Sequence, residues 1–268
     1  MDYKMIVLDL DGTLTNKDKI ITPKTKQALM EAQKRGVKVV LASGRPTYGV
    51  MPLAKELELE TYGGYILSFN GGIILDCQTR EIIFRKEHPV EANRRIIELA
   101  KEEQVDILTY QDELIITNNK ENPYAKLESK INHLELKQVD DLASYVDFAV
   151  PKFLMLDDGD YLALVEARVK AALGKNFSVY RSDPYFLEIL PRGIDKAQSL
   201  EKLLQTLNMD RKQMIACGDG YNDISMIEYA GLGVAMENAV RPARNAADYV
   251  TRSNNDDGIA HVVEKFLL

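Results

Sequence analysis

MIVLDLDGTLT (5–15) begins as an apolar run and ends in a turn. The uncharged stretch, bounded by turn residues, has the character of a buried parallel strand, and MIVLDL (5–10) is assigned as one. Asp9 and Asp11 stand where that run gives way to Gly12 and Thr13. A carboxylate beside a core is costly unless something pairs with it. Aspartate also favours turns, so two readings are open here: a capped turn, or a pair of groups placed for chemistry.

Outward from this strand the chain alternates. Thr22-Pro23 reads as an N-cap followed by a first helical residue, KTKQALMEAQKRG (24–36) as a helix with a glycine stop, and VKVVLAS (37–43) as the next buried strand. YGVMPLAKELEL (48–59) reads as a helix with Pro52 near its first turn, and YILSFN (65–70) as a third strand ending at Asn70-Gly71-Gly72. The rhythm resumes late. DKAQSLEKLLQTLN (195–208) is an amphipathic helix, MIACGD (214–219) a strand, DISMIEYAG (223–231) a helix, LGVAM (232–236) a strand and DDGIAHVVEKFLL (256–268) a closing helix. Such alternation predicts an α/β fold: a doubly wound, mostly parallel, Rossmann-like sheet with helices on both faces.

The middle breaks the alternation. GGIILD (71–76) with EIIFRK (81–86), DILTYQDELIITNN (106–119) and FSVYRSDPYFLEIL (177–190) read as hairpins. Between them lie the helices EANRRIIELAKEEQ (91–104) and YLALVEARVKAALG (161–174) and the strand KFLMLDD (152–158). Adjacent hairpins imply antiparallel pairing. The expected organisation is a core of residues 1–85 and 193–268, with an α/β domain inserted at 86–192.

Bulk properties narrow the function. The 268 residues carry a net charge of −7, with 46% hydrophobic and 28% charged residues, an ordinary globular composition. No basic excess exists to neutralise a phosphate backbone, so nucleic acid is not an expected partner. No apolar run is long enough to span a bilayer, and the N-terminus lacks a signal-peptide pattern, so no membrane partner is expected. Two cysteines, Cys77 and Cys217, make no disulfide framework. With the missing signal, this points to a cytoplasmic protein. Oligomeric state is not legible.

In a doubly wound sheet, ligands bind beyond the carboxyl ends of the strands. Four such ends carry suggestive groups: Asp9-x-Asp11, Ser43-Gly44-Arg45, Asn70-Gly71-Gly72 and Gly218-Asp219-Gly220-x-Asn222-Asp223. Parallel strands can bring all four to one crevice, where Asp9 and Asp11 could share a hard cation with Asp219.

DLDGTLT (9–15), ASGR (42–45), Lys196 at a helix start and GDGYND (218–223) together resemble the haloacid dehalogenase-like phosphohydrolases in order and spacing, over essentially the whole chain. The large α/β insertion between Ser43 and Lys196 resembles the Cof-type, sugar-phosphatase-like branch, as do NGG (70–72) and YFLEIL (185–190) at its two ends. The resemblance implies a Mg²⁺-dependent phosphatase acting on small phosphorylated metabolites, sugar phosphates among them. It implies Asp9 as nucleophile forming an aspartyl-phosphate, and Asp11 as general acid and base. It implies Mg²⁺ held by Asp9, the backbone carbonyl of Asp11, and Asp219. Ser43, the Gly44 N–H, Lys196 and Asn222 would contact the phosphoryl group, and Asp223 would hold the metal waters or Lys196. The family pattern usually has glycine after the lysine. Here it is Ala197, from which a small backbone adjustment is expected.

Other assignments stay open. A phosphotransferase or phosphomutase would use the same intermediate, and a non-enzymatic phosphometabolite-binding module would use the same pocket. Arg45 can pair structurally or touch substrate. Tyr185, Phe186 and Glu188 can be hairpin core or substrate contacts. Cys217 reads as inert packing, and His88, His133 and His261, without ligand-spaced partners, as structural or surface residues.

Overall fold

The computed structural model describes residues 3–268. Fourteen strands are present among them. β1 (Met5–Leu8), β2 (Lys38–Ala42), β3 (Tyr65–Ser68), β4 (Ile73–Asp76) and β5 (Ile82–Arg85) come first. β6 (Asp106–Gln111), β7 (Leu114–Thr117), β8 (Glu135–Gln138), β9 (Phe153–Leu156), β10 (Phe177–Asp183) and β11 (Phe186–Pro191) follow. β12 (Met214–Gly218), β13 (Leu232–Ala235) and β14 (Tyr249–Val250) close the series.

Two sheets result. One has the order β14-β13-β12-β1-β2-β3-β4-β5, the other β10-β11-β9-β6-β7-β8. The chain divides accordingly into two compact units, one formed by residues through Phe84 with Asp195–Leu268, the other by Arg85–Ile194. The α/β architecture with an inserted α/β cap domain is the one the sequence rhythm predicts.

In the first unit β1 lies centrally, parallel to β12 (Met5↔Met214) and to β2 (Met5↔Lys38). Burial on both faces explains its unbroken apolar sequence. Ile6 and Leu8 enter a cluster with Leu29 and Ala32 of the helix Pro23–Lys34 and with Val262 and Val263 of the helix Gly258–Phe266. Met5 and Val7 face the other way, toward Leu200, Leu203 and Leu204 of the helix Lys196–Thr206. Alternation along one strand thus ties helices to both faces. β12, β1, β2 and β3 run parallel, so their carboxyl ends share one edge of the sheet.

Local signals act as expected in most places. The Thr22 side chain accepts from the Thr25 N–H, and Pro23 occupies the first helical turn, where its missing N–H costs nothing. The second helix departs from expectation. It spans Thr47–Glu56, with Pro52 in its interior and not near its first turn. It ends early, because Glu58 takes a left-handed φ of 52° and a separate short turn, Leu59–Tyr62, follows. A mid-helix proline removes one hydrogen bond and crowds the preceding turn, which favours a short helix.

The second unit has its own core, built from Ile96, Ile107, Phe153, Met155, Val165, Leu187 and neighbouring buried residues. Three elements here escaped periodicity: the helix Pro123–Asn132, capped by Asn122, β8, parallel to β7, and the four-residue helix Leu142–Tyr145. The first of these helices is the crossover that parallel pairing of β7 and β8 requires.

Candidate active site

The four suggestive strand ends belong to the first unit, and three of them meet on one lysine. Lys196 is fully buried, and its Nζ donates to Asp9 Oδ1 (2.7 Å), Asp223 Oδ1 (2.6 Å) and the Ala42 carbonyl (2.9 Å). Asp9 and Asp223 follow β1 and β12, and Ala42 is the last residue of β2. The lysine is placed by its helix, whose first residue it is. Asp195 caps that helix by accepting from the Ala197 and Gln198 N–H groups, and Ala197 is its second residue.

Asp223 is fully engaged. Its Oδ1 holds Lys196, while its Oδ2 accepts from the N–H groups of Asp219 (2.9 Å) and Gly220 (2.8 Å). Asp219 Oδ1 accepts from the Thr13 hydroxyl at 2.8 Å, which ties the loop after β12 to the loop after β1. Gly12 between them has φ +91°, and a Cβ there would collide with the Asp219 carboxylate, so only glycine fits. Gly218 is required for the same reason, its Cβ position being taken by Asp223.

Carboxylate oxygens of Asp9, Asp219 and Asp223 lie within 4.8 Å of one another. Three carboxylates share one buried ammonium, so the cluster is short of positive charge. Burial, then the Asp223 charge, raises the Asp9 carboxyl well above the usual range. Burial likewise pushes Asp219 up to about 6. Asp223 and Asp9 hold Lys196 charged despite its burial. All-oxygen donors with surplus negative charge suit a hard divalent cation. Asp9 and Asp219 fit as its ligands, whereas the bonds on both oxygens of Asp223 fit an orienting part.

Asp11 points elsewhere. Arg45 grips it with two parallel bonds, Nε to Oδ2 (2.7 Å) and Nη2 to Oδ1 (2.6 Å), and Lys19 adds a third at 2.7 Å. Although burial works against it, these cations hold its carboxyl below the usual range. Arg45 therefore pairs within the protein here. The loops of Ser43 and Gly44 and of Asn222 are joined through Asn70. Asn70 N–H donates to the Ser43 carbonyl, a Cβ on Gly44 would sit 3.2 Å from the Asn70 amide, and Asn222 donates to Asn70 Oδ1 at 3.1 Å.

NGG (70–72) reads as a loop from the sequence, but no sequence pattern marks Asn70 as the joint or Thr13, Lys19 and Arg45 as partners of the carboxylates. Left-handed backbone at Asn70 (φ 55°) is a conformation asparagine tolerates, so an Asn-Gly-Gly run was the available signal.

The haloacid dehalogenase-like hydrolase profile matches residues 6–263. The chain belongs to the haloacid dehalogenase-like hydrolases. A haloacid dehalogenase-like hydrolase from Bacteroides thetaiotaomicron superposes with a TM-score of 0.95 at 44% identity, over 98% of this chain and 99% of that one. TM0651 from Thermotoga maritima superposes with a TM-score of 0.89 at 30% identity, over 98% and 97%. The 5-amino-6-(5-phospho-D-ribitylamino)uracil phosphatase YcsE of Bacillus subtilis is 30% identical over 271 residues, covering 100% of this chain and 97% of that protein. This haloacid dehalogenase-like hydrolase is a phosphatase of the Cof-type branch, in agreement with the motifs. Among the described residues no helix is long and apolar enough to cross a membrane.

Proposed function

We propose that the protein is a Mg²⁺-dependent phosphatase of small phosphorylated metabolites, sugar phosphates foremost, working through an aspartyl-phosphate on Asp9. The observation that carries this is the buried Lys196 joined to Asp9 and Asp223, beside Asp219. The ribityl phosphate named for the Bacillus subtilis relatives is a polyol phosphate and supports the substrate class.

Asp9 Oδ attacks phosphorus as the bond to the leaving oxygen breaks, and Asp11 gives that oxygen a proton. Water then attacks phosphorus, Asp11 takes its proton, and the Asp9–phosphorus bond breaks to free phosphate. Asp9, the Asp11 carbonyl and Asp219 would hold Mg²⁺, which offsets the charge between the anionic nucleophile and the anionic phosphate. Lys196, Ser43, the Gly44 N–H and Asn222 stabilise charge on the phosphoryl oxygens. Asp223 fixes Lys196 and the Asp219 backbone. The Arg45 grip suits the base half of the Asp11 role; for the acid half, Arg45 must turn away. The inserted domain, 86–192, is assigned the choice of substrate, and the setting is assigned as cytoplasmic.

The test is release of phosphate from a panel of phosphorylated metabolites, with Mg²⁺ and with chelator, for the wild type and Asp9→Asn. The amide is nearly isosteric but a poor nucleophile. Turnover should vanish in that variant while circular dichroism is unchanged, and phosphate release near the wild-type rate would rule out Asp9. Movement of phosphate between sugar positions, without release, would favour a mutase.

A further inference from the structure

Three asparagines that take no part in the proposed chemistry hold the loop after Asp11 from outside. Asn238 Nδ2 donates to the Gly12 carbonyl at 2.8 Å. Asn254 Nδ2 donates to the Thr15 carbonyl at 2.8 Å. The two are joined, since the Asn254 N–H donates to Asn238 Oδ1 at 3.0 Å. Asn255 Oδ1 accepts from the Lys17 N–H at 2.9 Å. From the inner side, the Thr15 hydroxyl donates to the Leu10 carbonyl and the Thr13 hydroxyl to Asp219 Oδ1. The loop is therefore gripped on both sides, and Gly12 within it sits at φ +91°.

We propose that Asn238 and Asn254 are positioning residues for the metal, an inference that rests on reading Asp9, the Asp11 carbonyl and Asp219 as its ligands. A side-chain carboxylate can rotate to meet a cation, but a carbonyl ligand can only follow its peptide. The peptide that carries the Asp11 carbonyl ends at Gly12, and glycine by itself enforces no conformation. Mg²⁺ demands near-ideal octahedral geometry, so a few tenths of an ångström matter. The asparagine clamp supplies the restraint that glycine lacks. It acts on two ligands at one remove, through the Gly12 carbonyl, which fixes the peptide next to the one that carries the Asp11 carbonyl, and through Thr13, which holds Asp219. Asn238 is exposed, so its removal leaves no hole in the core, and the effect should fall on the metal and not on the fold.

The test uses the full chain and Mn²⁺ as a paramagnetic stand-in for Mg²⁺. Free Mn²⁺ is read by electron paramagnetic resonance for the wild type, Asn238→Ala, Asn254→Ala, the double variant and Asn238→Gln, which keeps an amide donor. Asn245→Ala, at an exposed asparagine of the helix Arg241–Ala246, is the control, and Asp219→Asn the blank. Each alanine variant should weaken Mn²⁺ binding by roughly 3- to 10-fold, the worth of one net hydrogen bond. The double variant should weaken it further, Asn238→Gln should restore part, and Asn245→Ala should do nothing. The Mg²⁺ half-saturation of turnover should rise by the same factor, with the substrate KM at saturating Mg²⁺ unchanged. Wild-type affinity in the double variant, with binding lost in Asp219→Asn, would overturn the inference and leave the metal reading standing. A wild-type protein that binds no Mn²⁺ would overturn both. Weaker binding accompanied by a fall of more than about 5 °C in the metal-free Tm would also overturn it, since a change of that size reports loss of general stability.

Discussion

Asp9 and Asp11 are two residues apart, yet their surroundings drive their acidities in opposite directions. Burial with Asp223 nearby pushes Asp9 up, and the Arg45 fork pulls Asp11 down. Without a cation these directions run against the assigned roles, so the Mg²⁺ that Asp9 would hold must favour its ionised form, and Arg45 must release Asp11 before it can give a proton. Asp11→Asn should lower turnover by about 10²–10⁴-fold on alkyl phosphates, the usual worth of general acid–base catalysis, and by less on aryl phosphates, whose leaving group needs little protonation. Equal losses on both, with water attack shown not to limit the rate, would remove the leaving-group role. Asp219 gives a second prediction. Its carboxyl rests at about 6 without metal, and only the ionised form binds a cation. As pH falls through about 6, proton and Mg²⁺ compete, so the Mg²⁺ needed for half-maximal turnover should rise steeply below that pH and flatten above it. A half-saturation independent of pH from 5 to 8 would contradict the assignment. At this scale the sequence was informative about residue types, because Asp-x-Asp-Gly and Gly-Asp-x-x-Asn-Asp tie chemistry to fixed spacing. Partners remote in sequence, such as Arg45 on Asp11 and Thr13 on Asp219, carry no such pattern and emerge only when strand ends meet.

Among the elements, the edge of the inserted domain holds the clearest electrostatic liability. His88 is buried, its Nε2–H donating to the Ile189 carbonyl at 3.0 Å, and its ring packs on Phe177 and Phe153. Burial lowers it from 6.5 to about 4. The folded value lies below the unfolded one, so as pH drops under 6.5 the unfolded chain takes up the proton first. Stability of this domain should therefore be complete above about 6.5, decline as pH falls toward 4, and level off below; the interval corresponds to ~3 kcal/mol. Urea unfolding followed across that range should show the decline, and His88→Gln should flatten it. An identical slope in the variant would place the acid sensitivity elsewhere. Strand and helix existence was legible wherever periodicity or a cap was strong, as at Thr22-Pro23. The helix Pro123–Asn132 and β8 were not, because NPYAKLESKIN (122–132) is short and β8 is mostly exposed. The early end at Glu56 depends on a left-handed Glu58, a position that glutamate does not advertise.

At the scale of the whole molecule, the two units have separate apolar clusters, and that of the second draws on residues between Ile96 and Ile189. A unit with its own sheet and core is expected to fold alone. Residues 85–194 expressed by themselves should unfold in one cooperative transition, seen by both far-ultraviolet circular dichroism and tyrosine fluorescence. A broad, probe-dependent melt would show that they depend on the remainder of the chain. The insertion was visible in sequence because hairpins interrupt strand–helix alternation.

The pairing of Met5 with Met214 also bears on how the protein is made. The strand that leads to Asp9 leaves the ribosome roughly two hundred residues before its neighbour on one side. At about 5–20 residues per second, β1 waits on the order of ten to forty seconds with that edge unpaired. The inserted domain is translated during the wait and is free to fold from its own contacts. Lys196 and Asp219 arrive only afterwards, so a nascent chain holds Asp9 without its lysine or the neighbouring carboxylates. The cluster around Lys196 is therefore withheld until the residues through Asp223 have been made, and an open strand edge is the exposure that accompanies the wait.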